Sequence, residues 1–353
     1  MPTLDLACFE SLAALRDNPP SEGASPPAGI ARRRALKNIL ALLAAPPAFL
    51  VAPRSAAAAT AKRINIGWQK GGSLAVIAAR GELEKTLASR GIGIDWREFP
   101  SGPVLLEALN AGSVDFGVVG ETPPVFAQAA GVDLVYVGNE PAAPRAEKIL
   151  VPKDSPLGAV ADLSGKRIAL NKGSNVHYLL VKSLDKAGLR YGDVEIVFLA
   201  PADARAAFER GSIDAWVIWE PYAAAVEAKL AARILADGTG VVNNFTFFMA
   251  SRRYAEANAD VLSLLLAQIR SEDQWIGDHL ATAAAVVAPQ LGVAGDVAEL
   301  ALSRYAYGVA PLSDDVVREQ QKVADAFFEL KLIPKRLDVA AIVWHPAKLG
   351  EKT

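Results

Sequence analysis

Residues 108–121 read ALNAGSVDFGVVGE, and residues 207–220 read AFERGSIDAWVIWE. The offset is a constant 99 residues, and Ala, Gly, Ser, Asp, Val and Glu recur at matching places. Each copy reads as a helix end, a Gly-Ser turn, an Asp, a buried strand and a Glu before proline. Two ordinary helix–turn–strand units would share some of this, but a repeat at fixed spacing points to two similar lobes.

The sequence around each copy extends the pattern. Before and after the first lie RINIGW (63–68), a helical stretch over 73–91 interrupted near Gly81, IDWREF (94–99), a helix over 102–112, PPVFAQAAG (123–131) and LVYVG (134–138). Around the second lie KRIALN (166–171), a helix over 174–188, VEIVFL (194–199), a helix over 201–211, another over 221–231 and ARILAD (232–237). Strands alternating with helices predict α/β lobes, each with a mostly parallel sheet flanked by helices. VNNFTFFMAS (242–251) reads as a second hinge strand, and the remainder is mostly helical, with i, i+3, i+4 apolar spacing. The expected division is 1–61 leader, 62–147 with 248–353 as lobe 1, and 148–247 as lobe 2.

Composition narrows the function. The 353 residues are 52 % hydrophobic and 22 % charged, which excludes a disordered chain. With 37 basic and 39 acidic residues the formal charge is −2, without the basic excess of a nucleic-acid binder. One cysteine, Cys8, and three scattered histidines (177, 279, 345) exclude disulfide frameworks and give no metal-ligand spacing. No cofactor is expected.

Mean hydropathy is +0.21, so membrane segments need a test. The longest apolar run, 39–51, is 13 residues and holds Pro46 and Pro47, too short for the ~20 residues of a spanning helix. Arg32, Arg33, Arg34 and Lys37 precede it, and Ala59-Thr60-Ala61 follows as an A-x-A site. These are the parts of a secretory signal with cleavage before Lys62. Arg33-Arg34-Ala35-Leu36-Lys37 partly resembles a twin-arginine signal. Residues 1–31 read as an over-long start, and Cys8 lacks a lipobox. Cleavage removes six basic and four acidic residues, moving the charge from −2 to −4, and removes Cys8. A cysteine-free chain suits an oxidising compartment.

INIGWQKGGSLAVIAARGELE, GPVLLEALNAGSVDFGVVGETPPVFAQAAG, LNKGSNVHYLLVKSL and PADARAAFERGSIDAWVIWEPY closely resemble periplasmic aliphatic sulfonate-binding proteins of ABC transporters, within the nitrate/sulfonate/taurine-binding group. The likeness runs in order over nearly all of 62–345. It implies a two-lobed periplasmic binding fold (type II) with a two-segment hinge. The implied ligand is a small organosulfonate, and the implied partners are a membrane permease and its ATPase. The chain is expected to act as a monomer, without enzymatic activity. Enzymes sharing this fold rely on Cys or Cys/His chemistry, which a cysteine-free mature chain lacks. Taurine, nitrate or another small organic solute is the alternative ligand. Glu121 and Glu220 stand where Asp is more usual in the group.

Ligands of open α/β sheets bind beyond the carboxyl ends of the strands. A sulfonate is a permanent anion with three acceptor oxygens, and helix N-termini offer it free N–H groups and partial positive charge. Three helix starts qualify: Gln69, Gly71 and Gly72 after the first strand; Gly120 and Thr122 after the third; Gly173, Ser174 and Asn175 opening the second lobe. For each, an ordinary turn or cap is the competing reading. Lys70 is either an attractor or a solvated turn residue. Trp219 is the candidate cover for the alkyl tail. Glu220 and Glu121 would repel an anion, so they either accept N–H bonds at a following helix start or meet a substrate amine. His177 either faces the cleft or packs. Arg205 is either a countercharge or a surface residue, and Asn244, Phe247 and Phe248 are candidate cleft residues.

Overall fold

The structure, a computed structural model, describes residues 62–345. The expected leader in 1–61 lies outside the described residues. The first half runs β1 (Lys62–Gln69), α1 (Gly72–Arg80), α2 (Glu82–Ala88), β2 (Ile92–Phe99), α3 (Gly102–Asn110), β3 (Phe116–Gly120), α4 (Pro123–Ala129) and β4 (Leu134–Asn139). The second runs β5 (Glu147–Val151), β6 (Arg167–Leu170), α5 (Asn175–Lys186), β7 (Glu195–Phe198), α6 (Pro201–Glu209), β8 (Ala215–Trp219), α7 (Tyr222–Leu230) and β9 (Arg233–Asp237). Then come β10 (Thr246–Ser251), α8 (Arg252–Ala257), α9 (Ala259–Asp278), α10 (Leu280–Leu291), α11 (Gly295–Leu302) and α12 (Asp314–Glu329).

Two five-stranded mixed sheets result, ordered β2-β1-β3-β10-β4 and β7-β6-β8-β5-β9. In each, three consecutive strands pair in parallel, and one strand inserts antiparallel between two others. That strand comes from across the chain: β5 follows β4 but joins the second sheet, and β10 follows β9 but joins the first. The chain therefore crosses twice, over 140–146 and 238–245. The crossings are bonded to each other: Ala143 N donates to Asn243 O (3.0 Å), Gly238 N to Pro144 O (2.9 Å), and Asn244 Nδ2 to Ala143 O (2.9 Å).

The repeat has a physical cause. Asp115 N donates to Asn65 O (2.9 Å) while its carboxylate accepts from Asn65 N (2.9 Å). Asp214 does the same to Arg167, at 2.8 and 2.7 Å. Each Asp pins the strand after the turn to the neighbouring parallel strand. The strands that follow, FGVVG and AWVIW, are almost wholly buried, as sheets covered on both faces require.

One element was not expected: β5, Glu-Lys-Ile-Leu-Val, a buried five-residue strand. The C-terminal helices cover the first sheet, where Leu262, Leu265, Ile269 and Val287 join Ile64, Ile66, Leu74 and Ile77. α12 reaches both halves, with Phe327 packing edge-on to Phe126 (5.0 Å) and beside His177 (5.2 Å) and Tyr178 (6.0 Å). No single helix among the described residues is long and apolar enough to cross a membrane.

Candidate ligand-binding site

The parallel strands β1, β3 and β8 end, and the antiparallel strand β10 begins, at one cleft between the sheets. The cleft is lined by Gln69, Lys70, Gly71 and Gly72; by Val118, Val119 and Gly120; by Ala146, Asn175, Trp219, Asn244 and Thr246; and by Tyr305. A water-sized sphere can be centred in about 60 Å³ of it. A single water needs roughly 10–15 Å³, so several waters or one compact anionic headgroup fit.

Six of the ten residues expected from sequence line this cleft: Gln69, Gly71, Gly72, Gly120, Asn175 and Trp219. Gln69 Nε2 donates to Val118 O (2.9 Å), which fixes its amide across β1 and β3. Gly71 has φ +119°, and a Cβ there would stand 2.5 Å from the Tyr305 hydroxyl and 2.6 Å from Glu220 O. Only glycine lets the start of α1 come this close to the second half. A Cβ on Gly120 would meet Asn175 at 2.9 Å, so this glycine admits Asn175 to the floor of the cleft. Asn175 Nδ2 donates to both Glu147 Oε2 (2.8 Å) and Asn244 Oδ1 (3.0 Å). Its side-chain donors are thus spent on the protein, and what it can offer a ligand is the backbone N–H at the start of α5. Trp219 is 7 % exposed and stands edge-on to Tyr222, with ring centroids 6.0 Å apart.

The other four do not line the cleft. Thr122 is fully buried, and its Oγ1 has no partner among the described residues. The helix it precedes, α4, begins Pro123-Pro124, and proline has no N–H to offer an anion. Ser174 is buried and its hydroxyl donates to Asn171 O (2.7 Å), a bond within the turn. Gly173 faces the Phe126 ring. Glu220 is fully buried, with Oε2 accepting from Ala224 N (2.9 Å) in the first turn of α7 and Oε1 accepting from Arg304.

The open alternatives resolve in the same way. His177 packs: it is buried, Gly173 N donates to its Nδ1 (3.4 Å), and Nε2 lies 2.7 Å from the Tyr191 hydroxyl. Burial, helped by Lys172, lowers its pKa to about 3. Arg205 pairs with Glu209 at 2.9 Å on the surface of α6. Phe247 and Phe248 are core residues and Asn244 lines the cleft. Glu121 accepts from Phe245 N (3.2 Å) in the second crossing, not at the helix that follows it.

The electrostatics suit an anion. Lys70 contributes positive charge to the lining, 3.9 Å from Glu98, and no acidic side chain lines the cleft. The α1 N-terminus points N–H groups and partial positive charge at it. Behind the walls lie buried carboxyls. Burial raises Glu121 to about 8 and lifts Glu140 and Glu147 well above the ordinary range. Burial also raises Glu220, and Arg304 draws it back. Arg304 binds Glu227 through two bonds of 2.6 and 2.8 Å as well as Glu220. Burial works against its charge, but these carboxylates more than offset that and raise its pKa.

Residues 88–276 match the family model described as NMT1/THI5 like. A protein of Escherichia coli K12, named for the binding of aliphatic sulfonates, is 41 % identical over 323 residues, covering 91 % of this chain and 99 % of the relative. The chain belongs to this family. The alkanesulfonate-binding protein SsuA from Xanthomonas axonopodis, solved bound to MOPS, superposes with TM-score 0.76 at 44 % identity over 81 % of this chain and 99 % of that one. The periplasmic aliphatic sulphonate binding protein SsuA from E. coli gives 0.75 at 41 % identity, over 83 % and 95 %.

Sequence reading missed Thr246, Tyr305 and Arg304. Thr246 begins the inserted strand β10. Tyr305, whose hydroxyl donates to Glu220 O (2.9 Å), follows α11 and lines the cleft only by tertiary packing, and Arg304 beside it bonds Glu220 behind the wall. No motif marks them. Among the described residues no group of His, Cys, Asp or Glu could hold a metal.

Proposed function

We propose that this chain is the periplasmic solute-binding component of an ABC importer, capturing aliphatic sulfonates between two lobes and delivering them to a membrane permease with its ATPase. The lobes of this reading are 62–147 with 248–353, and 148–247, boundaries that fall a few residues past the two strand crossings, just inside β5 and β10. The observation that carries the reading is the cleft itself: the α1 start at Gly71 and Gly72, Lys70, the Gln69 amide and the α5 start face one small space with no acid in its lining. Trp219 gives that space an apolar wall for an alkyl tail. Gln69, Gly71, Gly72, Gly120, Asn175 and Trp219 form the proposed contact set. Relatives named for sulfonate binding support the ligand class.

Export by a signal in 1–61 and action as a monomer belong to the same reading. Binding rather than catalysis fits the residues: the cleft lining contains no Cys or His, and the described residues contain no Cys. Taurine is disfavoured because its ammonium would find no carboxylate at the cleft surface, Glu121 and Glu220 being engaged behind it.

A thermal-shift panel of butanesulfonate, taurine and nitrate on residues 62–353 tests the reading. Stabilisation by butanesulfonate above the other two is expected. A shift with taurine or nitrate and none with butanesulfonate would overturn the ligand assignment.

A further inference from the structure

Two buried carboxyls stand at the crossings between the lobes, joined to the cleft by short chains of hydrogen bonds. Glu147 is fully buried at the start of β5, opposite Trp219 in the ladder. Its Oε2 accepts from Asn175 at 2.8 Å, and its Oε1 has no partner among the described residues. Glu121 is 1 % exposed; its Oε2 accepts from Phe245 N and its Oε1 likewise has no partner. Asn244, next to Phe245, bonds Asn175 at 3.0 Å. Asn175 and Asn244 both line the cleft. The two acids therefore brace the same floor residue from the two crossings.

An ionised carboxylate buried without a cation or a full set of donors is costly, and a bound anion nearby makes it more so. We propose that, on the sulfonate-binding reading above, Glu121 and Glu147 are positioning residues that hold a proton between them when the ligand is bound, so that capture takes up a proton from solvent and weakens in alkaline medium.

The surroundings agree. Glu147 is faced by Glu121, by Asp237 from β9, by Tyr305, and by Lys148, whose Nζ is occupied by Arg145 O (2.8 Å). Glu121 is faced by Glu319 from α12 and by Tyr178 from α5, while Gln320 Nε2 bonds its carbonyl oxygen (2.6 Å). Negative neighbours outnumber the lone lysine. Burial raises both acids, and the charge of Glu121 raises Glu147 further. Protonation converts one carboxylate to a neutral acid; the proton comes from water or buffer.

The test is titration calorimetry with butanesulfonate between about pH 6 and 9, in pairs of buffers differing in ionisation enthalpy, which counts protons taken up per ligand. The expected result is net uptake of up to about one proton near pH 8, with affinity falling by as much as tenfold per pH unit on the alkaline side. Glu121→Gln with Glu147→Gln preserves an acceptor for Phe245 N and Asn175. It should abolish both the uptake and the pH dependence, an effect a purely structural role would not produce. Butanesulfonate binding with no proton uptake and a flat pH profile overturns the inference while leaving the function intact, as does unchanged uptake in the double variant. No binding at any pH overturns the function and this inference with it. The wild-type measurement decides even where the variant does not fold.

Discussion

Arg304, just beyond α11, donates to Glu220 at the end of β8, and so ties the helices covering the first sheet to the second. The same guanidinium binds Glu227, seven residues further on within α7. Removing one partner of a buried pair leaves the other uncompensated, at about 3–5 kcal/mol. Arg304→Ala should therefore destabilise the chain by that order and weaken ligand binding. Arg304→Ala with Glu220→Gln should cost less than the sum of the single changes. A double-mutant cycle in denaturant checks this; strict additivity would contradict the tie.

Trp219 lines the cleft, whereas the Ser174 hydroxyl is held in a turn bond. Trp219→Ala removes the apolar wall and should weaken butanesulfonate binding about tenfold or more, about 1.4 kcal/mol or more. Ser174→Ala removes a bond to Asn171 O, should cost about 1 kcal/mol of stability, and should leave affinity within about threefold. Fluorescence titration and thermal melting of the two variants make the comparison. The reverse pattern would move the site toward Ser174.

Gly71→Ala sets a methyl group against the Tyr305 hydroxyl and Glu220 O and asks alanine to adopt φ +119°. Overpacking and strain of this kind cost about 1–3 kcal/mol. The overlap is across the cleft, so affinity should fall by about tenfold or more. Binding by calorimetry measures this. Unchanged affinity would mean that the approach of Gly71 to the second half is not part of the bound state.

His177 predicts an acid limb of stability. Its pKa is about 3 in the fold against 6.5 in an unfolded chain, because burial disfavours the imidazolium. Below 6.5 the unfolded chain binds a proton that the fold refuses. This contribution is intact above pH 6.5 and is lost as pH falls from 6.5 toward 3, at about 1.4 kcal/mol per unit. His177→Gln should flatten that part of the melting-temperature profile. A profile unaltered by the substitution would remove His177 as its cause.

Much of the fold was legible because its signals are local. The alternation of strands and helices and the repeated Asp115 and Asp214 follow from apolar periodicity and turn chemistry. β5 was not, because Glu-Lys-Ile-Leu-Val is too short to mark itself and owes its place to pairing with β8 and β9. Within the site, Gln69, Gly71, Gly72 and Gly120 sit at strand ends that sequence can locate. Thr122 and Ser174 sit at such ends too, but their side chains turn inward, and nothing in the residue types says so. Arg304 and Tyr305 come from about 85 residues beyond Glu220, a contact only the packed helices create.

Capture of an aliphatic sulfonate in the cleft between the sheets is what the proposed function requires. Its most direct measurement is titration calorimetry of butanesulfonate into residues 62–353, beside the Trp219→Ala variant. One site per chain is expected, with a dissociation constant near micromolar, about −8 kcal/mol, weakened in the variant. The absence of heat with butanesulfonate and other alkanesulfonates, or an isotherm indifferent to Trp219, would contradict it.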